Sequence, residues 1–276
     1  MRSCAATLST ASRHGTPGGY SKAADRGPHL IRYWLTPAVA EAEAEREARI
    51  VDVCGVYRAA PARVEQGERT VSTDEMTGVQ ALERAAPGLP LAPGKVARRE
   101  FEYVRRGTRT FIINFDVASG QVIAPSCGPT RTEADFLAHV QHTIASDPSA
   151  PRWHFVTDNL NTHCSESLVR YVAEASGVSD DLGKKEHHGI LQSMASRAAF
   201  LSDPSHTIVF HYTPKHASWL NQVEIWLGIL VRKLLRRGSF TSVEDLEAQV
   251  LAFIAYFNRT MAKPFKWTYQ GKPLRV

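Results

Sequence analysis

The sequence predicts an α/β fold in which a mixed five-stranded sheet is flanked by helices. Strand-like segments come early in the chain, and strand and helix segments alternate later. This order is typical of a sheet that combines antiparallel and parallel strands and is covered by helices. The chain has 276 residues and 43% hydrophobic content, which allows one large domain with a sizeable core.

The N-terminal part is expected to lie outside that sheet domain. Residues 1–28 are rich in Gly, Ser, Ala and Arg without periodicity, so we expect a disordered or truncated start. Residues 29–60 contain a strongly helix-forming run, and Pro61 is expected to end it because proline has no amide hydrogen to donate. A connector helix is therefore predicted before a sheet domain over residues 61–276.

The first strand of the sheet domain is predicted over residues 70–74. Alternation places Ser72 and Asp74 on one face of this strand. Val71 and Thr73 then face the other side. A loop rich in proline and glycine follows at residues 85–97.

A hairpin is predicted after this loop. Residues 100–106 and 109–116 have strand character, and Gly107 is expected to turn the chain between them. A second turn at Ser119-Gly120 leads into a short strand over residues 121–124.

Helices and strands alternate in the rest of the chain. Residues 177–205 are polar and mixed, and we expect them to be an inserted excursion. Thr241 and Glu244 have the spacing of a capping box, which predicts the start of the last helix. The other predicted elements are a helix at 132–145, a strand at 154–158, a helix at 165–175, a strand at 207–212 and a helix from Ser218.

The helix from Ser218 carries an acid beside a buried face. Glu224 lies in its first two turns, between Val223 and Ile225, where a carboxylate loses hydration unless a cation meets it. Leucine and valine recur at helical spacing and predict the buried face, at Leu220, Val223, Leu227, Leu230, Leu234 and Leu235.

Three acids stand where a metal site could form. Asp74 and Asp158 each end a predicted strand, and Glu224 begins a helix that follows a third strand. Sequential elements tend to be neighbours, so the three carboxylates could meet at one edge of the sheet. Such a trio cannot stay ionised without cations, and Mg²⁺ or Mn²⁺ prefers oxygen ligands of this kind. A pair of these ions would support phosphodiester cleavage.

Other acids compete for the same role. Glu75 is next to Asp74, but alternation points it to the opposite face. Asp116 ends a strand and precedes a turn, where aspartate is common. Spacing alone leaves the choice between Asp74 and Asp116 open. Three further acids are interpreted as solvated: Asp180, Asp181 and Glu186.

The histidines allow two interpretations. His163 and His216 lie close in sequence to Asp158 and Glu224, so they could contact phosphate or orient a carboxylate. Two pairs are expected to be surface residues, namely His139 with His142 and His187 with His188.

Composition favours a polyanionic partner and excludes several protein classes. The net charge is +5, and a basic cluster follows Glu224, at Arg232, Lys233, Arg236 and Arg237. No apolar run is long enough for a membrane span. The four cysteines are far apart, which argues against a disulfide framework and fits a reducing cytoplasm. Glycine-rich nucleotide-binding loops are also absent from the sequence.

Five ordered motifs resemble the DDE-type insertion-sequence transposases of the mariner-like superfamily. They are TDEMTGVQALER (73–84), FDVASGQV (115–122), TDNLNTH (157–163), YTPKHASWLNQVEIW (212–226) and RRGSFTSVEDLEAQVLAFIAYFNR (236–259). The resemblance implies a ribonuclease-H-like fold and two divalent ions, Mg²⁺ or Mn²⁺. It further implies that Asp74, Asp158 and Glu224 hold these ions, which favours Asp74 over Asp116.

The resemblance also implies partners and a location. Transposon ends and target DNA would be the substrates, a homodimer the assembly, and the bacterial cytoplasm at the nucleoid the location. The residues expected to position DNA are Asn159, His163, Lys215, His216, Trp219, Arg232, Lys233, Arg236 and Arg237. Residues 29–60 resemble only the tail of the helix-turn-helix region that relatives carry. The alternatives are therefore an inactive fragment that binds DNA non-specifically or dimerises, and a ribonuclease acting on RNA-containing duplexes.

Overall fold

A computed structural model describes residues 41–269, with side chains from residue 44 onward. The predictions for residues 1–28 and for 29–40 lie outside the described residues. Six α-helices and five strands are found in the described part. The helices are α1 Glu41–Glu65, α2 Glu133–Ala145, α3 Glu166–Ala175, α4 Met194–Leu201, α5 Gln222–Leu230 and α6 Val243–Thr260. The strands are β1 Arg69–Arg84, β2 Tyr103–Asp116, β3 Val122–Gly128, β4 Trp153–Thr157 and β5 Ile208–Tyr212.

The strands form one mixed sheet in the order β3-β2-β1-β4-β5. The first three strands are antiparallel, whereas β4 runs parallel to both β1 and β5. This order and these directions are those of the ribonuclease-H-like fold, so the predicted fold class is confirmed.

Helices cover both faces of the sheet. Helices α2, α3 and α4 pack on one face against apolar residues of β1, β4 and β5. On the other face, α5 and α6 pack against β1, β2 and β3. Helix α1 packs beside the 3₁₀ turn Ser218–Leu220 that precedes α5. The central strands are therefore covered on both sides, as their apolar content requires.

The predicted hairpin within residues 100–116 is wrong. Strand β2 continues through Gly107 and pairs with β1 from Val71↔Asp116 to Arg84↔Tyr103. The register shifts between Gln80 and Leu82, opposite Gly107, whose φ of 116° suits a bulge. Glycine therefore bends the strand here and does not reverse it. Strand β1 is correspondingly longer than the predicted 70–74.

Pro61 does not end the first helix, which continues to Glu65. A proline inside a helix costs about 3 kcal/mol, because one hydrogen bond is lost and the ring crowds the preceding turn. Apolar residues of the same helix are buried against the sheet, including Ile50, Val53 and Tyr57. Tertiary packing offsets the local cost.

The N-cap of the last helix is displaced by one residue from the predicted position. Ser242, and not Thr241, is the N-cap, and its Oγ accepts a hydrogen bond from the Asp245 N–H at 3.1 Å.

Residues 177–205 differ from the predicted inserted excursion. Leu191 and Leu201 are fully buried in the core cluster of β4 and β5. None of the described helices combines the length and apolar content needed to cross a bilayer.

Candidate active site

Asp74 and Asp158 lie level with each other where β4 ends. Strand β4 pairs with β1 as far as Ser72↔Val156. Asp74 and Asp158 each come two residues further along these parallel strands. Asp74 is thus an interior residue of β1 and not its last residue, yet it sits where the parallel pairing stops.

Glu224 is brought to the same edge by contacts at the start of α5. The Asn221 Nδ2 donates to the Thr73 carbonyl oxygen at 3.0 Å and to Asp74 Oδ2 at 3.3 Å. The Ser72 hydroxyl donates to Asn221 Oδ1, and the Val223 N–H donates to Ser72 Oγ at 2.9 Å. The first turn of α5 is therefore fastened to β1 beside Asp74.

The charges of the neighbouring acids act on Asp74. Burial raises its pKa, a hydrogen bond from the Glu75 N–H lowers it, and the charges of Asp158, Glu224 and Glu75 raise it further, to about 7. Asp74 would be only partly ionised at neutral pH without a compensating cation. Glu224 itself is exposed, so its carboxylate can reach a ligand from solvent.

The donor set fits a hard divalent cation, although the side chains are not arranged as a closed site. Asp158 Oδ1 is buried beside the His163 ring, whose Nδ1 lies 2.7 Å away, while the Asp158 side chain as a whole is 36% exposed. The charges of Asp158 and Glu224 act on Asp74, and a hard divalent cation with oxygen ligands relieves such repulsion between carboxylates. In the described part of the chain, no three His, Cys, Asp or Glu side chains are already grouped for metal binding. Side-chain movement would have to complete such a site.

His163 lies beneath the acids and not on the surface. Its Nδ1 is 2.7 Å from Asp158 Oδ1, and its Nε2 is 2.8 Å from Glu75 Oε1. The ring has no exposed surface and packs on Phe136, 4.1 Å between centroids. Burial lowers its pKa, but the hydrogen bonds and charges of Asp158 and Glu75 outweigh that and raise it to about 10. A buried ring cannot reach DNA, so the interpretation that His163 orients a carboxylate is the one that fits.

The rival acids have other roles. Asp116 is buried, and its Oδ1 accepts hydrogen bonds from the Ala118 and Ser119 N–H groups at 3.0 and 2.7 Å. It therefore forms the turn, as its position before that turn predicts. Glu75 points to the opposite face from Asp74, as alternation predicts, and is buried there against His163.

His139 is a correction to the expected surface pair. It is buried, and its Nδ1 is 2.7 Å from Ser126 Oγ. Helix α2 packs that side against the sheet, while His142 on the next turn is exposed. Burial and the charges of His142 and His163 lower the pKa of His139 to about 3.

Most of the predicted DNA-positioning residues are exposed, which leaves them free to contact a ligand. Asn159 is half-buried and accepts a hydrogen bond from Cys164 Sγ at 3.3 Å. Trp219 packs edge-on against Tyr269, 5.2 Å between ring centroids, and is half exposed. The exposed residues are Lys215, His216, Trp219, Arg232, Lys233, Arg236 and Arg237.

Tyr57 supports the site in a way that no sequence pattern indicates. The Tyr57 hydroxyl donates to the Leu220 carbonyl oxygen at 2.9 Å and accepts from the Gln222 N–H at 3.3 Å. It thereby holds the turn before α5 from helix α1. The supporting roles of Ser72 and Asn221 were likewise not evident from local sequence, because their contacts join residues more than a hundred positions apart.

A comparison with known protein families identifies the family of this chain. The profile of a family described as DDE superfamily endonuclease matches residues 69–247, which include Asp74, Asp158 and Glu224. The chain belongs to the DDE superfamily of endonucleases. The match covers all five strands and most of the helices, so this DDE endonuclease domain accounts for the sheet and the acids at its edge.

Solved structures of Mos1 mariner transposase are distantly similar. A pre-cleavage Mos1 transpososome has a TM-score of 0.49 and 14% identity, covering 85% of this chain and 61% of that one. The Mos1 paired-end complex with Mn has a TM-score of 0.47 and 14% identity, covering 82% of this chain and 59% of that one. The Mos1 catalytic domain has a TM-score of 0.46 and 13% identity, covering 80% and 85%. The DDE endonuclease chain thus spans about three fifths of the Mos1 chains in the two DNA-complex structures. No curated protein sequence matches it.

Proposed function

We propose that this DDE endonuclease domain is the catalytic part of an insertion-sequence transposase that cuts and joins DNA strands. The observation that carries the proposal is that Asp158 lies level with Asp74 on parallel strands and that the charges of Asp158 and Glu224 raise the pKa of Asp74. The raised pKa of Asp74, to which the charges of Asp158 and Glu224 contribute, supports a carboxylate cluster that needs positive charge. Phosphodiester chemistry uses such charge.

Two divalent ions, Mg²⁺ or Mn²⁺, would be held by Asp74, Asp158 and Glu224. Bound there, they would activate the attacking oxygen and stabilise the leaving one. The chain's own part is to hold the three carboxylates in place. Asn221 fixes Asp74 through Oδ2, and His163 fixes Asp158 through Oδ1. Helix α5 presents Glu224 from the solvent side.

The proposed reaction has two steps, strand cleavage and strand transfer. In the first, the oxygen of water bonds to a phosphorus atom, the bond from that phosphorus to the 3′ oxygen breaks, and a 3′ hydroxyl is released. Water loses a proton to solvent, and the leaving oxygen gains one. In the second, the released 3′ hydroxyl attacks a phosphodiester of target DNA in the same way. Both steps need the same carboxylate cluster.

DNA would lie along the exposed basic residues that follow Glu224. Four cations stand within six consecutive residues there: Arg232, Lys233, Arg236 and Arg237. Cations of this kind bind phosphate without reading sequence. Lys215, His216 and Trp219 lie in the loop before α5, and Asn159 follows Asp158. Together these would position the strand being cut, in a bacterial cell at the nucleoid.

The second copy of a homodimer would contact the arm, defined as the ends of β1 and β2 with the joining residues 85–102. Its side chains include Leu91 at 78% and Phe101 at 88% exposure, alongside Leu89 and Val96. Apolar side chains exposed together support an interface with another protein surface. A second copy is the partner available to every molecule of this chain.

Asp158→Asn tests the function directly. The substitution removes one negative charge and keeps the shape, so Mg²⁺- or Mn²⁺-dependent nicking of labelled DNA should fall by at least about 100-fold, beyond the 10–100-fold typical of outer-shell changes. The matched control is Asp52→Asn. Asp52 lies in α1, and its Oδ2 is 2.8 Å from His211 Nδ1. That control should cleave within about twofold of the unchanged chain.

Parallel reactions separate the competing functions. DNA and RNA–DNA duplexes are each incubated with and without Mn²⁺. Salt-sensitive DNA binding without a metal-dependent product would support the inactive fragment. Cleavage confined to the RNA strand would support the ribonuclease. Full cleavage by Asp158→Asn would contradict the assignment of the site.

A further inference from the structure

A buried ion cluster supports one of the three acids from below the sheet. It consists of Glu75, His163 and Asp158, with His163 in the middle. His163 and Glu75 side chains are 0% and 3% exposed, whereas Asp158 is 36% exposed. The cluster therefore runs from the protein interior to the edge of the candidate active site.

Both ring nitrogens of His163 are engaged. Nε2 lies 2.8 Å from Glu75 Oε1, and Nδ1 lies 2.7 Å from Asp158 Oδ1. Nδ1 is also 3.0 Å from the Asp158 carbonyl oxygen and 3.1 Å from Thr157 Oγ1. Rotation of the ring would leave the buried Glu75 carboxylate without its partner, which is unfavourable. Glu75 thus fixes the orientation of the ring.

The ring in turn limits the Asp158 carboxylate. Oδ1 is buried, so the exposed part of this side chain includes its other oxygen. Phe136 packs on the ring, and Arg197 donates to the Cys164 carbonyl oxygen at 2.6 Å, next in sequence to His163. The turn that carries His163 is therefore held on several sides.

We propose that Glu75 and His163 are positioning residues that hold Asp158 in the orientation needed to bind a divalent cation. The inference rests on the proposed function, because it concerns the same carboxylate site. Neither residue touches the substrate. Glu75 acts on His163, and His163 acts on Asp158. Outer residues that orient metal-binding carboxylates and imidazoles commonly change metal affinity by about 10–100-fold when replaced.

The chain contains a matched control for this cluster. Glu68 and His154 form a second buried pair, with Nε2 and Oε2 3.2 Å apart and exposures of 16% for Glu68 and 7% for His154. This pair contacts His211 and not a candidate ligand. Glu68→Gln therefore makes the same chemical change as Glu75→Gln at a comparable site away from Asp158.

The experiment measures Mn²⁺ binding by isothermal titration calorimetry on the full chain, followed by nicking rates over a range of Mn²⁺ concentrations. Glu75→Gln should raise the Kd for Mn²⁺ about tenfold. Nicking should require correspondingly more Mn²⁺ and should recover at high Mn²⁺ concentration. Glu75→Asp, which keeps the charge, should lie between Glu75→Gln and the unchanged chain. Glu68→Gln should bind Mn²⁺ as the unchanged chain does.

Each result supports the inference or overturns it. If Glu75→Gln does not fold, the double variant Glu75→Gln with His163→Gln carries the test, because neither of these two buried side chains then carries a charge. An unchanged Kd in a folded Glu75 variant overturns the positioning role and leaves the proposed function standing. Equal weakening by Glu68→Gln also overturns it, because the effect would then be general. A chain that binds no Mn²⁺ and cuts no DNA overturns both.

Discussion

Two buried histidines on opposite faces of the same sheet each face a glutamate, yet their pKa values move in opposite directions. His163 faces Glu75 beside the candidate active site, and its pKa is raised to about 10. His154 faces Glu68 beside α1, and its pKa is lowered to about 3. Both rings lose solvation on burial, so the difference must come from their neighbours.

The neighbours differ in the sign and number of their charges. His163 contacts two carboxylates, Glu75 and Asp158. His154 contacts one carboxylate, and Glu68 already pairs with Arg63 at 3.8 Å and Arg152 at 3.9 Å. Burial lowers the pKa of His154 first, and the charges of Arg63, His211 and Arg152 lower it further.

A buried histidine–glutamate pair therefore does not by itself determine whether the imidazole is charged. Where the carboxylate's charge is already compensated, the imidazole stays neutral and acts as a packing element with hydrogen bonds. Where a second carboxylate is present, the imidazole becomes the cation that makes a cluster of acids tolerable. Only the second arrangement is found next to Asp74 and Glu224.

The largest expected effect is on stability when each histidine is removed. His163→Ala should lower the free energy of unfolding by about 3–5 kcal/mol, because Glu75 is left buried without a partner. His154→Ala should cost about 1–2 kcal/mol, because Glu68 keeps its two arginines. Urea denaturation at pH 8 measures both values. Equal losses would show that the two clusters are energetically alike.

A smaller effect is expected in the acid dependence of stability. His154 has a folded pKa of about 3, below the ordinary value of 6.5, so the unfolded chain binds more protons between these pH values. Unfolding free energy should therefore fall as pH drops through that window, by about 2 kcal/mol at pH 5 for one such group. His139 has the same shift and should contribute a similar loss.

His154→Gln isolates one of these contributions. The glutamine cannot take up a proton, so about half of the acid-dependent loss from these two histidines should disappear. Denaturation curves at pH 5 and pH 7.5 for both chains give the comparison. The groups that face His154 are Glu68, His211, Arg63 and Arg152, with Asp52 beyond His211. If His154→Gln loses as much unfolding free energy between pH 7.5 and pH 5 as the unchanged chain does, His154 is already charged in the folded chain.

The smallest expected effect comes from altering the charge around His154. Arg152→Gln removes a half-exposed cation 3.9 Å from Glu68, which leaves more of the glutamate's charge for the histidine. The pKa of His154 should rise by less than about one unit, because solvent screens this arginine. Nitrogen NMR of the imidazole measures the change. A fall in the pKa would contradict the account of the two clusters.

Local pattern was sufficient for much of the fold, whereas the choice of Asp74 over Asp116 needed the family resemblance. Alternation in β1 correctly placed Ser72 and Asp74 on one face and turned Glu75 to the other. Helical spacing correctly predicted that Val223, Leu227 and Leu230 of α5 and Leu220 in the turn before it are buried, whereas the predicted Leu234 and Leu235 are only half-buried. These inferences succeed because backbone geometry repeats over two or about four residues, and the chain itself displays that repeat.

Local rules failed where a distant partner decided the outcome. Gly107 was expected to turn the chain, but pairing with β1 made it a bulge. Pro61 was expected to end α1, but packing against the sheet carried the helix on to Glu65. His139 was expected on the surface, but α2 buries it. In each case the deciding contacts lie outside the window that a local rule considers.

The sequence by itself determined which residues could do the chemistry and on which side of each element they lie. Tertiary structure alone decided that Asp158 is level with Asp74, that Asn221 ties α5 to β1, and that His163 is enclosed between two acids. The physical reason is that burial and charge pairing depend on strand register and helix packing. These join residues far apart in sequence, and no local repeat encodes them.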